Sequence, residues 1–131
     1  MVCPACGGPT VAFPIPGAVV DQMPEARPGA ALCRHCLTVV PLDDPPAEIP
    51  DLQTVSDAFP SNREGAATVG ALLALVDSLA LYRTEIDAVA RHAETLGVDV
   101  MLVLDRLAAD EAIDPHFDID RRRAQLEQLL A

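Results

Sequence analysis

The residues best suited to chemistry are four cysteines in two Cys-x-x-Cys pairs, Cys3 with Cys6 and Cys33 with Cys36. Two cysteines separated by two residues can aim both sulfurs at one point when the chain turns tightly between them. Gly7, directly after the first pair, permits the positive φ that such a turn favours. Two such turns complete a tetrahedron of thiolates about 2.3 Å from a zinc ion. The pattern predicts a structural zinc site, because four thiolates leave no open coordination position for a substrate.

Iron bound as in a rubredoxin is the alternative to zinc, since rubredoxins also use two Cys-x-x-Cys pairs. Rubredoxins usually shield their metal with several aromatic side chains, whereas only Phe13 lies near the cysteines in this sequence. His35 lies inside the second pair, and we expect it at the surface or donating to a sulfur. His92 has no histidine or carboxylate partner at the helical spacing of metal ligands, and His116 follows Asp114-Pro115, which interrupts helical structure, so we expect solvated or capping roles for them.

The charge of the chain is strongly negative. It has 20 acidic residues against nine arginines, no lysine and a net charge of -11. Excess aspartate, arginine in place of lysine, and abundant alanine and valine are typical of proteins from salt-loving archaea. In molar salt, where the Debye length is about 3 Å, such acidity keeps a chain hydrated and soluble. Unaided binding to nucleic acid is disfavoured, because phosphate contacts require a basic surface.

One basic cluster, Arg121-Arg122-Arg123, stands out from this acidity. It could hold a phosphate or an acidic partner, but we expect a solvated helix face paired with Asp118, Asp120 and Glu127. The sequence contains no P-loop, no dinucleotide-binding glycine pattern and no nucleophile with a partner base. We therefore expect no enzyme activity.

The start of the chain lacks the basic and apolar regions of a secretory leader. The longest apolar run, residues 69–76, is far shorter than the roughly 20 residues needed to cross a bilayer. These features predict a cytoplasmic protein that does not bind membranes. In a reducing cytosol, paired Cys-x-x-Cys motifs are metal ligands in preference to disulfides.

Three zones must position the cysteines: a zinc ribbon at residues 1–42, a linker rich in proline and aspartate at 43–60, and a helical domain at 61–131. Within the ribbon, residues 10–15 and 37–42 are predicted as short strands, with residues 16–29 irregular between them. In the linker, Leu52, Val55 and Phe59 are expected to pack as an ordered turn. The predicted fold class is α+β, with short antiparallel strands followed by three to four helices.

Helix boundaries are marked by capping residues. Ser61 and Glu64 fit a capping box at the start of the first helix. An apolar stripe running through residues 69–93 permits one long helix, but we predict a break near residues 81–84 and two antiparallel helices. Gly97 is predicted to end the second helix and Asp99 to begin a third. Asp118 or Asp120 is predicted to begin the last helix, which carries Leu126, Leu129 and Leu130 on its inner face.

Several segments together resemble a family of small uncharacterised haloarchaeal proteins, a domain of unknown function with an N-terminal CPxCG-type zinc ribbon. The segments are CPACGG, CRHCLTV, SDAFP (56–60), LVLDRLAAD (102–110), DPH and DRRRAQLEQLL. The resemblance spans nearly the whole chain. It implies a haloarchaeal origin and metal ligands at Cys3, Cys6, Cys33 and Cys36, but no mechanism.

The function that these features favour is a non-enzymatic zinc-binding adaptor that presents a surface to a protein partner. A homodimer formed through the leucines of the helices is a further expectation. The alternatives are a regulator associated with nucleic acid in transcription or translation, and an electron carrier with rubredoxin-like iron.

Overall fold

The computed structural model describes residues 1–131, with a small sheet in the first part of the chain and helices in the second. The antiparallel sheet has the strand order β1-β2-β3. Its strands are β1 (Thr10–Pro14), β2 (Gly29–Cys33) and β3 (Val39–Leu42). The helices are α1 (Arg63–Val76), α2 (Arg83–Thr95), α3 (Val100–Ala109) and α4 (Ile119–Leu130). The predicted α+β fold class is confirmed. None of the helices combines the length and apolarity needed to cross a bilayer.

The central strand β2 is the element that the sequence did not reveal. The prediction of an irregular segment over residues 16–29 is wrong at its end, because Gly29 begins this strand. All five residues of β2 are buried, so its sequence, Gly-Ala-Ala-Leu-Cys, lacks the alternation of apolar and polar residues by which half-buried strands are recognised. It pairs with both neighbours, for example through Phe13 with Ala30 and through Ala31 with Val40.

The two outer strands are shorter than predicted. β1 ends at Pro14, although the Ile15 N–H still donates to the Pro28 carbonyl at 2.9 Å. β3 begins at Val39, because Leu37 has a φ of 64°, which no strand residue adopts.

Segment 43–60 is fastened to the helices. Leu52, Val55 and Phe59 are buried, so the ordered packing expected for them is confirmed. The Ser56 hydroxyl donates to the Asp110 carboxylate at 2.6 Å, just beyond the end of α3. This hydrogen bond, from a buried serine to a partly buried aspartate, joins two parts of the chain that are far apart in sequence.

The first helix begins one residue later than the capping box implies. Its N-cap is Asn62, whose side-chain oxygen accepts a hydrogen bond from the Gly65 N–H at 3.0 Å, so the predicted Ser61–Glu64 box is wrong. Serine and asparagine are about equally good N-caps, so adjacent candidates cannot be separated by residue type.

Two helices occupy the region of the long apolar stripe, as predicted. The break covers residues 77–82, slightly before the predicted position. Glu64 at the start of α1 lies 3.7 Å from His92 near the end of α2, measured from Oε1 to Nε2. The two helices are therefore antiparallel.

The predicted caps of the later helices are confirmed. Gly97 has a φ of 81° and donates its N–H to the Glu94 carbonyl at 3.0 Å, while the Val98 N–H reaches the Ala93 carbonyl at 3.1 Å. This pair of bonds is a Schellman motif, which satisfies the last carbonyls of α2. Asp99 caps α3, and Asp118, not Asp120, caps α4, each through a side-chain oxygen that accepts a backbone N–H.

A single hydrophobic core extends from the sheet through segment 43–60 to the helices. The sheet meets α1 through Phe13, whose ring lies against Gly70. A Cβ placed on Gly70 would be only 2.6 Å from Phe13 Cζ. Ala67 and Ala71 are also fully buried on α1, so small side chains allow the sheet and the helix to approach closely.

Candidate metal centre

The four cysteine sulfurs form one cluster and all lie within 4.8 Å of one another. Cys3 Sγ is 3.7 Å from Cys36 Sγ, and Cys6 Sγ is 3.5 Å from Cys33 Sγ. A tetrahedral ion about 2.3 Å from each sulfur requires sulfurs about 3.8 Å apart. The spacing therefore fits a metal ion bound by all four sulfurs.

The first knuckle, residues 3–8, is a tight turn closed by its own backbone. The Cys3 N–H donates to the Gly8 carbonyl at 2.8 Å, and the Gly7 N–H donates to the Cys3 carbonyl at 2.9 Å. Gly7 has a φ of 76°, as expected from its position after the second cysteine.

The second knuckle, residues 33–38, repeats this pattern. The Cys33 N–H donates to the Thr38 carbonyl at 2.9 Å, and the Leu37 N–H donates to the Cys33 carbonyl at 3.3 Å. Leu37 occupies the position that glycine holds in the first knuckle and has a φ of 64°. The left-handed conformation costs a non-glycine residue roughly 1–2 kcal/mol, and the full burial of the leucine side chain offsets this cost.

Backbone N–H groups point at the sulfurs in both knuckles. Cys3 Sγ accepts from the Ala5 N–H and Cys6 Sγ from the Gly8 N–H, both at 3.4 Å. Cys33 Sγ accepts from the N–H groups of His35 and Cys36 at 3.3 and 3.4 Å. Donors of this kind stabilise thiolates and orient metal ligands.

Thr38 supplies a side-chain contact that the sequence did not indicate. Its Oγ1 lies 3.0 Å from Cys36 Sγ, within hydrogen-bond distance of the one ligand sulfur that receives no backbone N–H. A hydroxyl two residues after a cysteine carries no distinctive sequence signal, so only the structure identifies it.

Gly8 allows the two knuckles to meet. A Cβ at this position would lie 3.3 Å from Cys6 Sγ, 3.3 Å from His35 Cβ and 3.4 Å from Cys33 Sγ. Any larger residue would press on two ligands at once. The two glycines are therefore needed for different reasons. Gly7 allows the positive φ of the turn, and Gly8 leaves room for the sulfurs and for His35.

The thiols differ in their readiness to ionise. Burial raises the pKa of Cys3, but the backbone N–H groups of Cys6 and Ala5 and the thiols of Cys36 and Cys33 outweigh this and lower it to about 6. At Cys6 the Gly8 N–H favours the thiolate, yet the Cys33 sulfur, burial and the remaining thiols raise the pKa to about 12. Sulfurs this close resist carrying several negative charges unless a cation neutralises them.

The donor set identifies the kind of metal that the site can hold. Four soft thiolates in a tetrahedron suit zinc or iron, and they leave no coordination position for water or a substrate. Three of the cysteines are buried, and only Cys6 is exposed. All four predicted ligands come together, and the arrangement could hold one metal ion.

The second knuckle is bonded to the loop between α3 and α4, a connection absent from the sequence-based predictions. The Asp114 N–H donates to the His35 carbonyl at 2.8 Å, and the His116 N–H donates to the Cys36 carbonyl at 3.0 Å. The DPH segment at residues 114–116 is therefore in direct contact with the cysteine motif.

The three histidines lie outside the sulfur cluster. His35 is about half exposed, as expected, with its Nε2 3.9 Å from Asp114 Oδ2. His92 is partly buried and His116 is exposed, and each lies opposite a carboxylate of another element. The partners are Glu64 for His92 and Asp77, at 3.8 Å, for His116.

The arginine cluster pairs mainly with other helices, which corrects the expected partners. Arg123 does contact Glu127 at 3.1 Å as predicted, but it also reaches Asp105 of α3 at 2.8 Å. Arg122 lies 3.8 Å from Asp77 at the end of α1. Two of the three arginines therefore hold α4 to its neighbours.

Comparison with known proteins gives one match. No curated protein and no solved structure matches the chain. The model of a family of unknown function, DUF6276, matches residues 2–130, which include all four cysteines and all four helices. Because the match covers almost the whole chain, this protein belongs to the DUF6276 family of unknown function.

Proposed function

We propose that the protein is a non-enzymatic, cytoplasmic zinc-binding protein whose four-cysteine site is structural. The observation that carries the proposal is the sulfur cluster, with Cys3–Cys36 and Cys6–Cys33 separations of 3.7 and 3.5 Å. These distances match the edge of a zinc–thiolate tetrahedron, about 3.8 Å. Two knuckles with the same backbone hydrogen bonds and several N–H donors to sulfur support it.

Zinc is favoured over rubredoxin-like iron by the surroundings of the sulfurs. The ring of Phe13, the one aromatic near the cysteines in sequence, is directed against Gly70 of α1, and Cys6 is exposed. The test is elemental analysis of protein purified without added metal, together with its visible absorption spectrum. We expect about one zinc per chain and no visible band, as for a four-thiolate site; an iron band without zinc would overturn the assignment.

If the metal is structural, the stability of the fold must also depend on it. Structural zinc in small peptides contributes apparent free energies of roughly 10–16 kcal/mol. We therefore expect a Cys36→Ser variant to lose zinc and much of its stability. If that variant stayed fully folded without metal, the site would not be structural.

We further propose that the protein acts as an adaptor for another protein. Four thiolate ligands leave no open coordination position on the metal, which supports a scaffold in preference to a catalyst. Leu81 and Leu102 are 78% and 44% exposed, so both side chains are available to contact a partner. The net charge of -11 and the use of arginine alone suit a salt-adapted cytoplasm, and the ion pairs of Arg122 and Arg123 count against a nucleic-acid role.

Affinity purification from the native host at its own salt concentration tests the adaptor role. The tagged wild-type chain and a Leu81→Asp, Leu102→Asp variant would be compared by mass spectrometry, with both checked for equal zinc content. A protein recovered with the wild type and lost with the variant supports the proposal. Nucleic acid that co-purifies in molar salt, or identical recovery with both chains, would contradict it.

A further inference from the structure

The attachment of α4 depends on the backbone of the second knuckle. The loop at residues 111–118 leads into this helix and donates two N–H groups to the knuckle, from Asp114 to His35 at 2.8 Å and from His116 to Cys36 at 3.0 Å. Both acceptor carbonyls belong to residues of the metal-binding turn. Their positions are therefore fixed only as long as that turn keeps its shape.

Without a metal the turn keeps its backbone hydrogen bonds, Cys33 N–H to the Thr38 carbonyl and Leu37 N–H to the Cys33 carbonyl, but its sulfurs have only weak contacts with one another. Leu37 adopts a left-handed conformation, with a φ of 64°, that leucine disfavours. The four thiols can offer one another only weak hydrogen bonds, since the S–H group is a poor donor. A bound ion replaces these weak contacts with metal–sulfur bonds.

α4 has few strong contacts of its own. Only Ile119 and Leu126 are buried among its residues. It packs mainly on α3 and less on α2. Its ion pairs, Arg122 with Asp77 and Arg123 with Asp105, involve partly exposed groups, and pairs of this kind contribute little in salt.

The other end of the loop is held independently of the knuckle. Asp110 accepts the hydrogen bond from the buried Ser56 at 2.6 Å, and the Ala112 N–H returns to Asp110 at 3.0 Å. Neither bond involves a residue of the metal site. The Ile113 N–H also donates to the Asp110 carbonyl at 3.1 Å, and the Ile113 side chain is buried. Loss of the knuckle would therefore loosen the chain after Ile113 and leave α3 in place.

From these contacts we propose that the metal acts as a latch for α4: with metal bound the helix is docked, and when metal is lost residues 114–130 detach while α1, α2 and α3 remain folded. The proposal rests on the proposed metal site, because the latch needs the ion. Metal availability would thus control whether the apolar surfaces of α3 that α4 covers are accessible.

Hydrogen exchange of the full-length protein tests the latch, with zinc bound and after its removal by a chelator in the same molar salt. We expect amides of residues 114–130 to exchange at least about tenfold faster without zinc, while α1 amides change much less. Equal acceleration throughout the chain, or unchanged exchange in α4, would overturn the latch.

A variant can break the contact between the loop and the second knuckle without removing a metal ligand. His116→Pro removes the N–H that donates to Cys36 but touches no cysteine, and His116→Ala is the matched control that keeps this N–H. With zinc bound to both, we expect fast exchange of α4 in His116→Pro alone. Protection of α4 in His116→Pro equal to that in His116→Ala would contradict the proposal.

Zinc content measured on the same samples distinguishes two kinds of failure. If the purified wild type holds about one zinc per chain and its removal leaves α4 protected, the latch fails and the structural site stands. If the wild type binds no metal at all, the proposed function itself fails.

Discussion

The ring of Phe13, from β1, rests directly on the backbone of Gly70 in α1, so closely that a Cβ on Gly70 would lie 2.6 Å from Phe13 Cζ. This contact joins the sheet to the helices. Alanine at position 70 would improve helix propensity by about 1 kcal/mol but would force the ring away, at a typical overpacking cost of about 1–3 kcal/mol. We expect Gly70→Ala to lower the free energy of unfolding by up to about 2 kcal/mol, the difference between these two effects, measured by denaturant titration.

Two further variants sharpen this prediction. Gly17→Ala is the control, because a Cβ there meets nothing within 4 Å. In the double variant Gly70→Ala, Phe13→Leu the two changes should be less harmful than their sum, because the smaller side chain makes room. Strict additivity would show that the ring and the glycine are not in contact.

Replacing the cysteines one at a time should affect zinc affinity and stability differently, because the cysteines differ in burial and in hydrogen bonds to sulfur. Cys33 is fully buried and its sulfur accepts two backbone N–H groups, whereas Cys6 is exposed and accepts one. We expect both Cys33→Ser and Cys6→Ser to weaken zinc binding by more than about a hundredfold, because losing even an outer-sphere partner costs about 10–100-fold. Competition with a chromophoric chelator measures this.

The two variants should differ in the stability of the metal-free protein. Cys33→Ser places a hydroxyl in a buried site and should cost roughly 1–3 kcal/mol in urea denaturation, while Cys6→Ser should change little. Equal losses of stability in the two variants would contradict the prediction that the burial of Cys33 makes its replacement more costly.

Zinc binding should release protons in a pH-dependent way. In the metal-free protein the pKa of Cys3 is lowered to about 6 and that of Cys6 is raised to about 12. At pH 7.5 Cys3 is therefore already mostly ionised, and zinc must displace the proton of Cys6. We expect fewer than four protons released per zinc at this pH, rising as the pH falls through about 6 and Cys3 gains its proton.

The affinity for zinc should also fall as the pH is lowered through about 6, by about tenfold per pH unit for each proton that zinc displaces. Calorimetry in two buffers of different ionisation enthalpy measures the protons released. A number that stays constant from pH 8 to pH 5.5 would contradict the assigned order of ionisation. The Cys3→Ser variant is the control, since it should lose the step near pH 6.

The Ser56–Asp110 hydrogen bond should be stabilising even in high salt. The Ser56 hydroxyl is buried, donates to Asp110 and accepts the Ala58 N–H at 3.1 Å. Removing it leaves polar groups without partners, so Ser56→Ala should cost roughly 1–3 kcal/mol. Thr54→Ala, which removes an exposed hydroxyl bonded to the Asp51 carbonyl, should cost about 0.5 kcal/mol or less.

A double-mutant cycle with Asp110→Ala isolates the pair. We expect a coupling of about 0.5–3 kcal/mol that persists in molar salt. A coupling that disappears as salt is added would identify a surface charge effect in place of a buried bond.

The sequence predicted local features well and distant contacts poorly. The caps at Gly97 and Asp99 and the tight turn of each Cys-x-x-Cys pair follow from residues within a few positions of each other, so their chemistry is visible in the sequence. The meeting of the two distant pairs was predicted because a tetrahedral metal site needs both. β2 was missed because burial on both faces removes alternation, and Gly-Ala-Ala-Leu-Cys contains no β-branched residue. The Ser61 box was wrong because Asn62 caps equally well.

The contacts that join the site to the rest of the protein are long-range. Ser56 with Asp110 and Cys36 with His116 join segments whose pairing no periodicity indicates. All four residues lie in segments on which the predicted family resemblance rests, so those segments meet in space. The left-handed Leu37 was also unpredictable, because its burial and not its residue type stabilises that conformation.

The bond from His116 to Cys36 has a consequence for synthesis on the ribosome. The carbonyl of Cys36 finds its partner only after about 80 further residues have been translated, which takes about 4–16 s at about 5–20 residues per second. During that interval the sheet and α1 can already pack, because both of their sequences have emerged. Because α4 follows His116 in the chain, it is translated after the sheet and α1 to α3, and we expect it to dock after these elements have packed.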